Sequence, residues 1–554
     1  MDNTFTVKVD NRELTFTKKV KLIDLIEGDV HDYIYAKVNN RLRELSYELY
    51  YSADVKLLKK SDYEAIKPYE TSLRYIVAMA CSRVFPNLTI KYSYNISRSI
   101  YLTFSTLSRK KENFQITPEL VKKLKDEIDD IIAHDYPLVR KVVPNEEAKR
   151  IYRSIGYLDK IAILKYRPEK TVHFYECNGY MNYMYGHMVP STGHIKEYSL
   201  RVYGNGIIIQ YPRSETKGQI PDFIDAPVFS KTLKDSYVWA KKVGTDSVSA
   251  INHYAEVEGP IDFINLCEQH HNNMLAELGQ KIASNSDDIR LICIAGPSSS
   301  GKTTFANRLR VELMSLGLKP IRISLDDYYK EKKDIPLDEE GKPDLECLDA
   351  LDVDLINKNM LDLINGEAVV LPKFDFKLGK RVEGRKIKIK DNQPIIIEGI
   401  HALNEKLTSL IAKHQKFKIF IAPQAQINID NQNPISLTDL RLVRRIVRDY
   451  QFRGSSAEET ISMWPSVRKG EFKWIYDTQE NADYVFNSLL PYELCIMRKY
   501  ALPLLTAIDQ DSPYYPMANR LIKFLKLFVN LDDKWAPCNS IIREFIGGSC
   551  FQDV

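Results

Sequence analysis

The stretch from Ile292 to Arg310 reads ICIAGPSSSGKTTFANRLR and constrains the fold more than any other part of the chain. An apolar run ends at Gly296, small residues follow, and Lys302 begins a segment with helical spacing. Glycines let backbone N–H groups turn inward around anionic oxygens, and a helix start adds partial positive charge. This is the Walker A pattern in its expected place between strand and helix. It predicts an α/β unit that binds the phosphates of a nucleotide.

The loop supplies the predicted nucleotide ligands. Lys302 is expected to bridge the outer phosphates and Thr303 to coordinate Mg²⁺, so ATP and Mg²⁺ are the expected cofactors. A Gly- and Ser-rich turn is the alternative, but chance rarely gives the pattern with this context. The predicted cofactor-binding residues in the loop are Gly296, Ser298, Ser299, Ser300, Gly301, Lys302, Thr303 and Thr304.

Acidic residues follow two further apolar runs. RLICIAG, KPIRISLDD and QPIIIEG each end at a polar residue or glycine, with helical stretches between them, which predicts buried parallel strands. Asp326, Asp327 and Glu398 would lie at the carboxyl edge, where open α/β sheets bind ligands. A carboxylate there can take a proton from a substrate hydroxyl, and Glu398 can hold Mg²⁺. Turn-capping aspartates and a solvated glutamate are the alternatives.

Arginines cluster in DLRLVRRIVRDYQFRG. Arg441, Arg444, Arg445 and Arg448 fall within two helical turns, and Arg453 follows. Charge runs usually form solvated faces, but arginine suits bidentate contact with phosphate. The segment is therefore predicted to be a lid that closes on ATP.

These motifs, in this order, resemble the uridine kinase and phosphoribulokinase family of P-loop kinases over roughly residues 287–500. The resemblance implies that Asp326 is the base that deprotonates the acceptor hydroxyl, and that Glu398 assists the metal. It also implies that the lid arginines act on phosphate: Arg441 and Arg444 with Lys302 in catalysis, and Arg445 and Arg448 in ATP binding. The implied reaction transfers the ATP γ-phosphate to a sugar hydroxyl, the 5′-hydroxyl if a nucleoside is bound.

The acceptor side departs from the family pattern. Uridine and cytidine kinases usually carry an Asp where this chain has Glu346, which could still accept from a ribose diol. They read the pyrimidine with a Tyr and a His, whereas Phe374 and Gly379 stand at those positions here. Base preference is therefore open. The predicted substrate-binding residues are Asp326, Tyr329, Glu346, Phe374 and Arg441.

The front half resembles parts of threonyl-tRNA synthetase. Residues 1–62 resemble a TGS module of the β-grasp type, and SLRYIVAMACSRVFPN with YGHMVPSTGHIKEYSL carries the likeness over residues 63–225 to the α+β editing domain. The four positions of the hydrolytic site read Thr71, Tyr75, Met184 and Met188. None of these side chains supplies an imidazole or a thiolate. We therefore expect no editing; RNA, nucleotide or subunit binding and simple scaffolding all stay open.

At 554 residues the chain is too long for one core. We predict five segments: residues 1–62 and 63–225 as above, a helical connector over 226–285, the kinase domain with its parallel sheet over 286–500, and a helical extension over 501–554. A charge of +4 does not argue for a polyanion partner, and the eight scattered cysteines suggest reduced thiols. The polar start and the lack of a long apolar run predict a cytoplasmic protein without membrane contact.

The leading expectation is an ATP- and Mg²⁺-dependent nucleoside kinase with a degenerate synthetase-like front half. A kinase of another hydroxyl metabolite, such as a sugar phosphate, is the second. The third is an RNA-associated regulator in which ATP is a switch. Self-association into a homo-oligomer stays open.

Overall fold

The computed structural model describes residues 4–94, 96–106, 114–338, 341–375, 379–390, 393–424 and 427–552. Within these ranges, no helix combines the length and apolar character needed to cross a membrane.

The first unit is a small mixed sheet. An antiparallel hairpin opens this unit, and its first strand also pairs in parallel with the last strand of the unit. The order of the main sheet is β2-β1-β7-β4-β5, and a short β3–β6 pair lies beside it. Its strands are β1 (Phe5–Val9), β2 (Arg12–Phe16), β3 (Val20–Lys21), β4 (Tyr33–Val38), β5 (Arg41–Arg43), β6 (Glu48–Leu49) and β7 (Ala53–Lys59).

An α+β unit follows. A four-stranded sheet β13-β14-β9-β8 and a three-stranded sheet β10-β11-β12 share a core with its first helix. The elements are α1 (Ile66–Val84), β8 (Leu88–Tyr94), β9 (Ile100–Thr106), α2 (Pro118–Ala133), β10 (Val139–Pro144), α3 (Asn145–Ser154), α4 (Leu158–Leu164), β11 (Thr171–Cys177), β12 (Tyr180–Asn182), β13 (Ser199–Tyr203) and β14 (Gly206–Gln210). Three helices lead onward: α5 (Pro227–Val243), α6 (Val248–His253) and α7 (Pro260–Ala283).

A parallel five-stranded sheet, of order β16-β19-β15-β20-β23, organises the second half. The predicted parallel sheet is confirmed. Its strands are β15 (Leu291–Ala295), β16 (Ile321–Ser324), β19 (Ile395–Glu398), β20 (Lys416–Ala422) and β23 (Tyr484–Asn487). Around them lie α8 (Lys302–Ser315), α9 (Val353–Ile364), β17 (Val369–Asp375), β18 (Lys380–Ile387), β21 (Asn428–Asp430), β22 (Asn433–Pro434), α10 (Leu437–Arg453), α11 (Ala457–Gly470), α12 (Glu493–Thr506), α13 (Tyr515–Leu525) and α14 (Arg543–Ile546).

The central strand β15 shows why the sequence gives unbroken apolar runs here. Ile292 and Ile294 belong to one core, whereas Leu291 and Cys293 belong to a second. Successive side chains of a strand point to opposite faces, so a sheet covered on both faces needs apolar residues at every position. Both faces of β15 are therefore buried, and its carboxyl end is the place where the loop that follows can meet a ligand.

The β21–β22 hairpin joins the two halves of the chain. Asp430 forms a buried ion pair with Lys160 (Nζ to Oδ1, 2.9 Å), and it also accepts from the amide of Asn433. The backbone N–H of Tyr92 donates to the carbonyl of Asn431 at 2.8 Å. Because buried charges must be paired, this contact ties the α+β unit firmly to the second half.

Candidate nucleotide and acceptor site

The phosphate loop lies between β15 and α8 and requires glycine at two positions. A Cβ on Gly296 would lie 1.9 Å from the carbonyl oxygen of Ile421, so only glycine fits against β20. Gly301 has φ +90°, and Ser299 is also left-handed at φ 59°. Such backbone turns direct successive N–H groups into one concavity, which suits an anion.

The polar side chains of the loop are inward and largely unengaged. Within the described ranges, the hydroxyls of Ser299, Ser300 and Thr304 are buried without a hydrogen-bond partner. The Lys302 ammonium donates to the carbonyls of Gly296 (3.0 Å) and Pro297 (3.2 Å). Burial lowers the pKa of Lys302, although Glu398 and Asp326 act against this. Buried unpaired donors and a desolvated ammonium are the features expected where phosphates bind.

Two carboxylates meet at the carboxyl edge of the sheet. Glu398 ends β19, and its register partner Ser324 ends β16, two residues before Asp326. Burial, followed by repulsion from Asp326, raises the pKa of Glu398 to about 7, while Arg322 lies 3.2 Å from its Oε1. Two carboxylates forced together favour a cation, and carboxylate oxygens are ligands that Mg²⁺ accepts. The Thr303 hydroxyl, next to Lys302 in the chain, would add a further oxygen ligand, so the donor set fits a magnesium ion.

Asp327 faces elsewhere. Its Oδ1 accepts the backbone N–H of Phe374 at 3.2 Å, and burial raises its pKa. Of the two adjacent aspartates, Asp327 therefore fixes the strand β17. Asp326 is left beside Lys302 and Glu398.

Helix α10 carries the predicted arginines, and it divides them into two groups. Ser436 caps its start by accepting the N–H of Asp439, and Gly454, at φ 68°, ends it. Arg445 Nη1 donates to Ser298 Oγ at 2.8 Å, which brings this side chain onto the phosphate loop. Most of the helix is buried rather than exposed as a mobile lid would be.

Three guanidinium groups share one carboxylate at the end of α10. Asp449 lies 3.2 Å from Arg445, 2.7 Å from Arg448 and 3.6 Å from Arg453. Arg448, followed by burial, lowers the pKa of Arg453 to about 10. Three guanidinium groups thus gather around one carboxylate, next to the loop that would hold a polyphosphate.

Arg444 and Arg441 are predicted to act on phosphate, and in this structure both are engaged by protein groups. All five N–H groups of Arg444 are engaged, with the Glu493 carboxylate, the Ser488 carbonyl and hydroxyl, and the Ser299 carbonyl. Arg441 pairs with Glu471 and donates to the Tyr476 hydroxyl at 3.1 Å. Sequence spacing could not separate these buried, committed arginines from Arg445 and Arg448, because their partners come from distant segments.

Three of the predicted acceptor residues, Tyr329, Glu346 and Phe374, lie near Asp326. Tyr329 and Phe374 form an edge-to-face pair with ring centroids 6.0 Å apart. Glu346 has one buried carboxylate oxygen without a partner in the described structure, and burial raises its pKa to about 7. Repulsion from Glu471 also raises the pKa of Glu346, whereas Arg445 and Lys302 act against the rise. Glu346 therefore lies near Lys302 of the phosphate loop and Arg445 of α10.

Two further residues at this edge, His401 and Gly379, support the local backbone. His401 Nε2 lies 2.8 Å from the carbonyl oxygen of Glu346 and so positions the Glu346 backbone. Sequence reasoning missed this histidine, although it directly follows the Glu398-Gly-Ile motif. Gly379 has φ 64° in the β17–β18 turn, and its N–H donates to the carbonyl of Asp375. The glycine at this position thus serves the hairpin.

A carboxylate from the C-terminal segment also reaches the loop. Glu544 Oε2 accepts the backbone N–H of Thr304 at 2.9 Å, and a Cβ on Gly301 would meet Ile541 at 2.5 Å. The Phe545 ring lies 4.9 Å from the Arg444 guanidinium carbon. Sequence reasoning missed Glu544, because nothing local marks it. It places a negative charge at a helix start that otherwise favours phosphate.

The front-half positions compared with the editing site lie in a core. Tyr75, Met184 and Met188 share one buried apolar cluster, and Thr71 is fully buried. The Tyr75 hydroxyl donates to two backbone carbonyls. In this structure these four side chains therefore pack in the interior of the α+β unit.

Comparisons with known proteins match the second half. The family model described as phosphoribulokinase / uridine kinase family matches residues 291–493. Uridine kinases of Staphylococcus aureus strains JH9 and Newman are each 33% identical over 196 residues, which is 35% of this chain and 86% of theirs.

Two solved structures also align. A putative fructose transport system kinase from Silicibacter sp. TM1040 is 20% identical with a TM-score of 0.29, covering 38% of this chain and 98% of that one. A possible uridine kinase from Bacillus stearothermophilus is 17% identical with a TM-score of 0.25, covering 36% of this chain and 89% of that one. On the sequence match to the curated relatives, over most of their length, the chain belongs to the phosphoribulokinase and uridine kinase family through its P-loop kinase domain.

Proposed function

We propose that the protein is a nucleoside kinase that transfers the γ-phosphate of ATP to the 5′-hydroxyl of a nucleoside. The observation that carries the proposal is the meeting of Asp326 and Glu398 with Lys302 at the mouth of the phosphate loop. An ATP-dependent switch needs a phosphate loop, but it has no need of a base aimed at an acceptor.

The residues divide the work of the reaction. The acceptor hydroxyl gives its proton to the Asp326 carboxylate while its oxygen bonds to the γ-phosphorus. The bond from that phosphorus to the β–γ bridging oxygen breaks, and ADP leaves. Arg445 and Arg448 would hold the phosphates by charge, and Thr303 and Glu398 would hold a magnesium ion. That ion would supply positive charge against the negative charge of the transferring phosphate.

Glu346, Tyr329 and Phe374 are proposed to hold the acceptor. Among the described residues, one buried oxygen of Glu346 has no hydrogen-bond partner, which supports a hydrogen bond from a sugar hydroxyl. Phe374 offers a ring face and no hydrogen bond, so base choice is expected to be less strict than with a polar reader. A phosphorylated sugar is the competing acceptor, and one is therefore included among the acceptors to be tested.

Two measurements test the proposal. The first is ATP consumption with Mg²⁺ across ribonucleosides, deoxyribonucleosides and a sugar phosphate, with mass detection of the product. The second compares Asp326→Asn with Asp327→Asn. We expect Asp326→Asn to lower kcat by about 10²- to 10⁴-fold with ATP affinity kept. The matched Asp327→Asn change should affect mainly the placement of β17. An unchanged kcat in Asp326→Asn would exclude Asp326 as the base.

We also propose that the front half is a TGS-like module followed by an editing-like region that no longer hydrolyses, with RNA as its partner. The mixed sheet with its parallel β1–β7 pair and the buried editing positions support this. Gel-shift titration of the full chain with tRNA tests it. Binding no tighter than that of a carrier protein would leave scaffolding as the role.

A further inference from the structure

Two histidines and an aspartate come together where the first unit meets the α+β unit. His31 precedes β4, Asp135 follows α2, and His194 lies in a short 3₁₀ turn. One candidate ligand atom from each lies within 4.8 Å of the others. The His31 and His194 ring centroids are 4.7 Å apart. The proposed catalytic site uses none of these residues.

In each histidine, Nδ1 contacts a nearby polar side chain, which leaves Nε2 as the candidate metal ligand. His31 Nδ1 lies 3.0 Å from the Asp29 carboxylate, and His194 Nδ1 lies 2.9 Å from the Ser191 hydroxyl. His194 is 2% exposed, and its Nε2 has no hydrogen-bond partner in the described part of the chain. Metal-binding histidines are oriented in this way, with one nitrogen fixed by a carboxylate or another polar group and the other nitrogen on the metal. A buried nitrogen without a partner costs free energy, which a bound ion would recover.

The carboxylate is also oriented. Asp135 Oδ1 accepts the N–H of Gly193 at 2.8 Å, and its Oδ2 lies 3.0 Å from His31 Nε2. A Cβ at residue 193 would lie 2.5 Å from Asp135 Oδ1, so the close approach requires glycine. One oxygen is thus fixed by the backbone, and the other faces the imidazole.

The local charge suits a dication. Lys196 lies 2.7 Å from Asp29 and 3.1 Å from Asp32. Three carboxylates, with Asp135, against one ammonium leave an excess of two negative charges when the imidazoles are neutral. A divalent ion balances this excess.

We propose that His31, Asp135 and His194 bind one divalent transition-metal ion of the zinc class and thereby clasp the first unit to the α+β unit. Imidazole nitrogens with one carboxylate favour zinc over the oxygen-seeking magnesium and calcium ions. Three protein ligands leave the fourth tetrahedral position for water.

The test uses the full-length chain after treatment with a chelator. Zn²⁺ is titrated by calorimetry, and bound metal is counted by mass spectrometry. We expect one equivalent per chain, and a Co²⁺ spectrum of tetrahedral nitrogen and oxygen ligation without thiolate charge transfer. Because Cys538 and Cys550 are exposed thiols, the titration is repeated on Cys538→Ser, which should bind Zn²⁺ as the parent does.

Variants separate the site from adventitious binding. Loss of a group that only hydrogen-bonds to a metal ligand weakens metal binding by about 10- to 100-fold, and Asp29→Asn should have an effect of this size. Asp135→Asn and His194→Gln each remove a ligand and should weaken Zn²⁺ binding by more. The matched control is His134→Gln. His134 precedes Asp135 in the chain, and its ring stacks on Tyr136.

If His194→Gln does not fold, Asp135→Asn, whose side chain is 42% exposed, still decides the matter. Absence of stoichiometric Zn²⁺, or equal affinities for Asp135→Asn and His134→Gln, would show that the cluster is only a hydrogen-bonded contact.

Discussion

Glu544 should weaken nucleotide binding, and its removal should strengthen it. Its carboxylate accepts the N–H of Thr304, one of the first N–H groups of α8, and it is 9% exposed. A phosphate at the same helix start would compete for that N–H and would be repelled by the charge. Glu544→Gln keeps an oxygen acceptor of the same shape for Thr304 and removes only the charge.

The magnitude follows from charge separation. At an effective dielectric constant of ~20 and a separation of ~8 Å, two unit charges repel by about 2 kcal/mol. That energy corresponds to about a 30-fold change in Kd. We therefore expect Glu544→Gln to bind MgATP up to about 30-fold more tightly than the parent, with little dependence on salt because the group is buried.

Calorimetric titration of MgATP at fixed ionic strength measures the effect. Asp511→Asn, which removes an exposed carboxylate of the same C-terminal extension, is the control and should leave the Kd unchanged. Weaker binding by Glu544→Gln would refute the reasoning, since it would make Glu544 a ligand of the nucleotide or its metal. An unchanged Kd would mean that the segment moves away when nucleotide binds.

Three further predictions concern the same site. Burial raises the pKa of Glu398 from 4.5 to about 7, so its contribution to stability is full below the lower value and is lost as pH rises through the upper one. In metal-free buffer the fall in Tm between pH 5 and pH 8 should therefore be smaller for Glu398→Gln than for the parent. Arg444→Met should lower the free energy of unfolding by about 3 to 5 kcal/mol, because it leaves the buried Glu493 carboxylate without its partner. The double variant Arg444→Met/Glu493→Leu should lose less free energy of unfolding than the sum of the two single variants. Gly296→Ala should abolish ATP binding in calorimetry, because its methyl would overlap the Ile421 carbonyl, 1.9 Å away; retained affinity would mean that β20 yields.

The sequence predicted the parts of the site that local pattern controls. The phosphate loop depends on glycines and on a strand and helix adjacent in the chain. Asp326 and Glu398 end apolar runs, and ends of parallel strands meet at one edge. Glu346 and Phe374 were predicted only through their place in a family pattern, and in the structure both lie close to Tyr329.

The parts that were missed depend on partners far away in the chain. Arg444 and Arg445 are adjacent, yet one pairs with Glu493 and the other reaches Ser298, a difference that follows only from how α10 packs. Glu544 lies 240 residues from Thr304. Neither contact has a local spacing or composition that could reveal it.

The front half is physically coupled to the proposed site, whatever it binds. Asp430 lies in the β21–β22 hairpin, and Ser436, a few residues later, caps α10, the helix that carries Arg445. The buried Lys160–Asp430 pair fixes that hairpin to the α+β unit. Removing one partner of a buried pair leaves an uncompensated charge that the structure must shift to solvate. A ligand that moves α4 relative to the hairpin would therefore act directly on the start of the arginine helix, through one short segment.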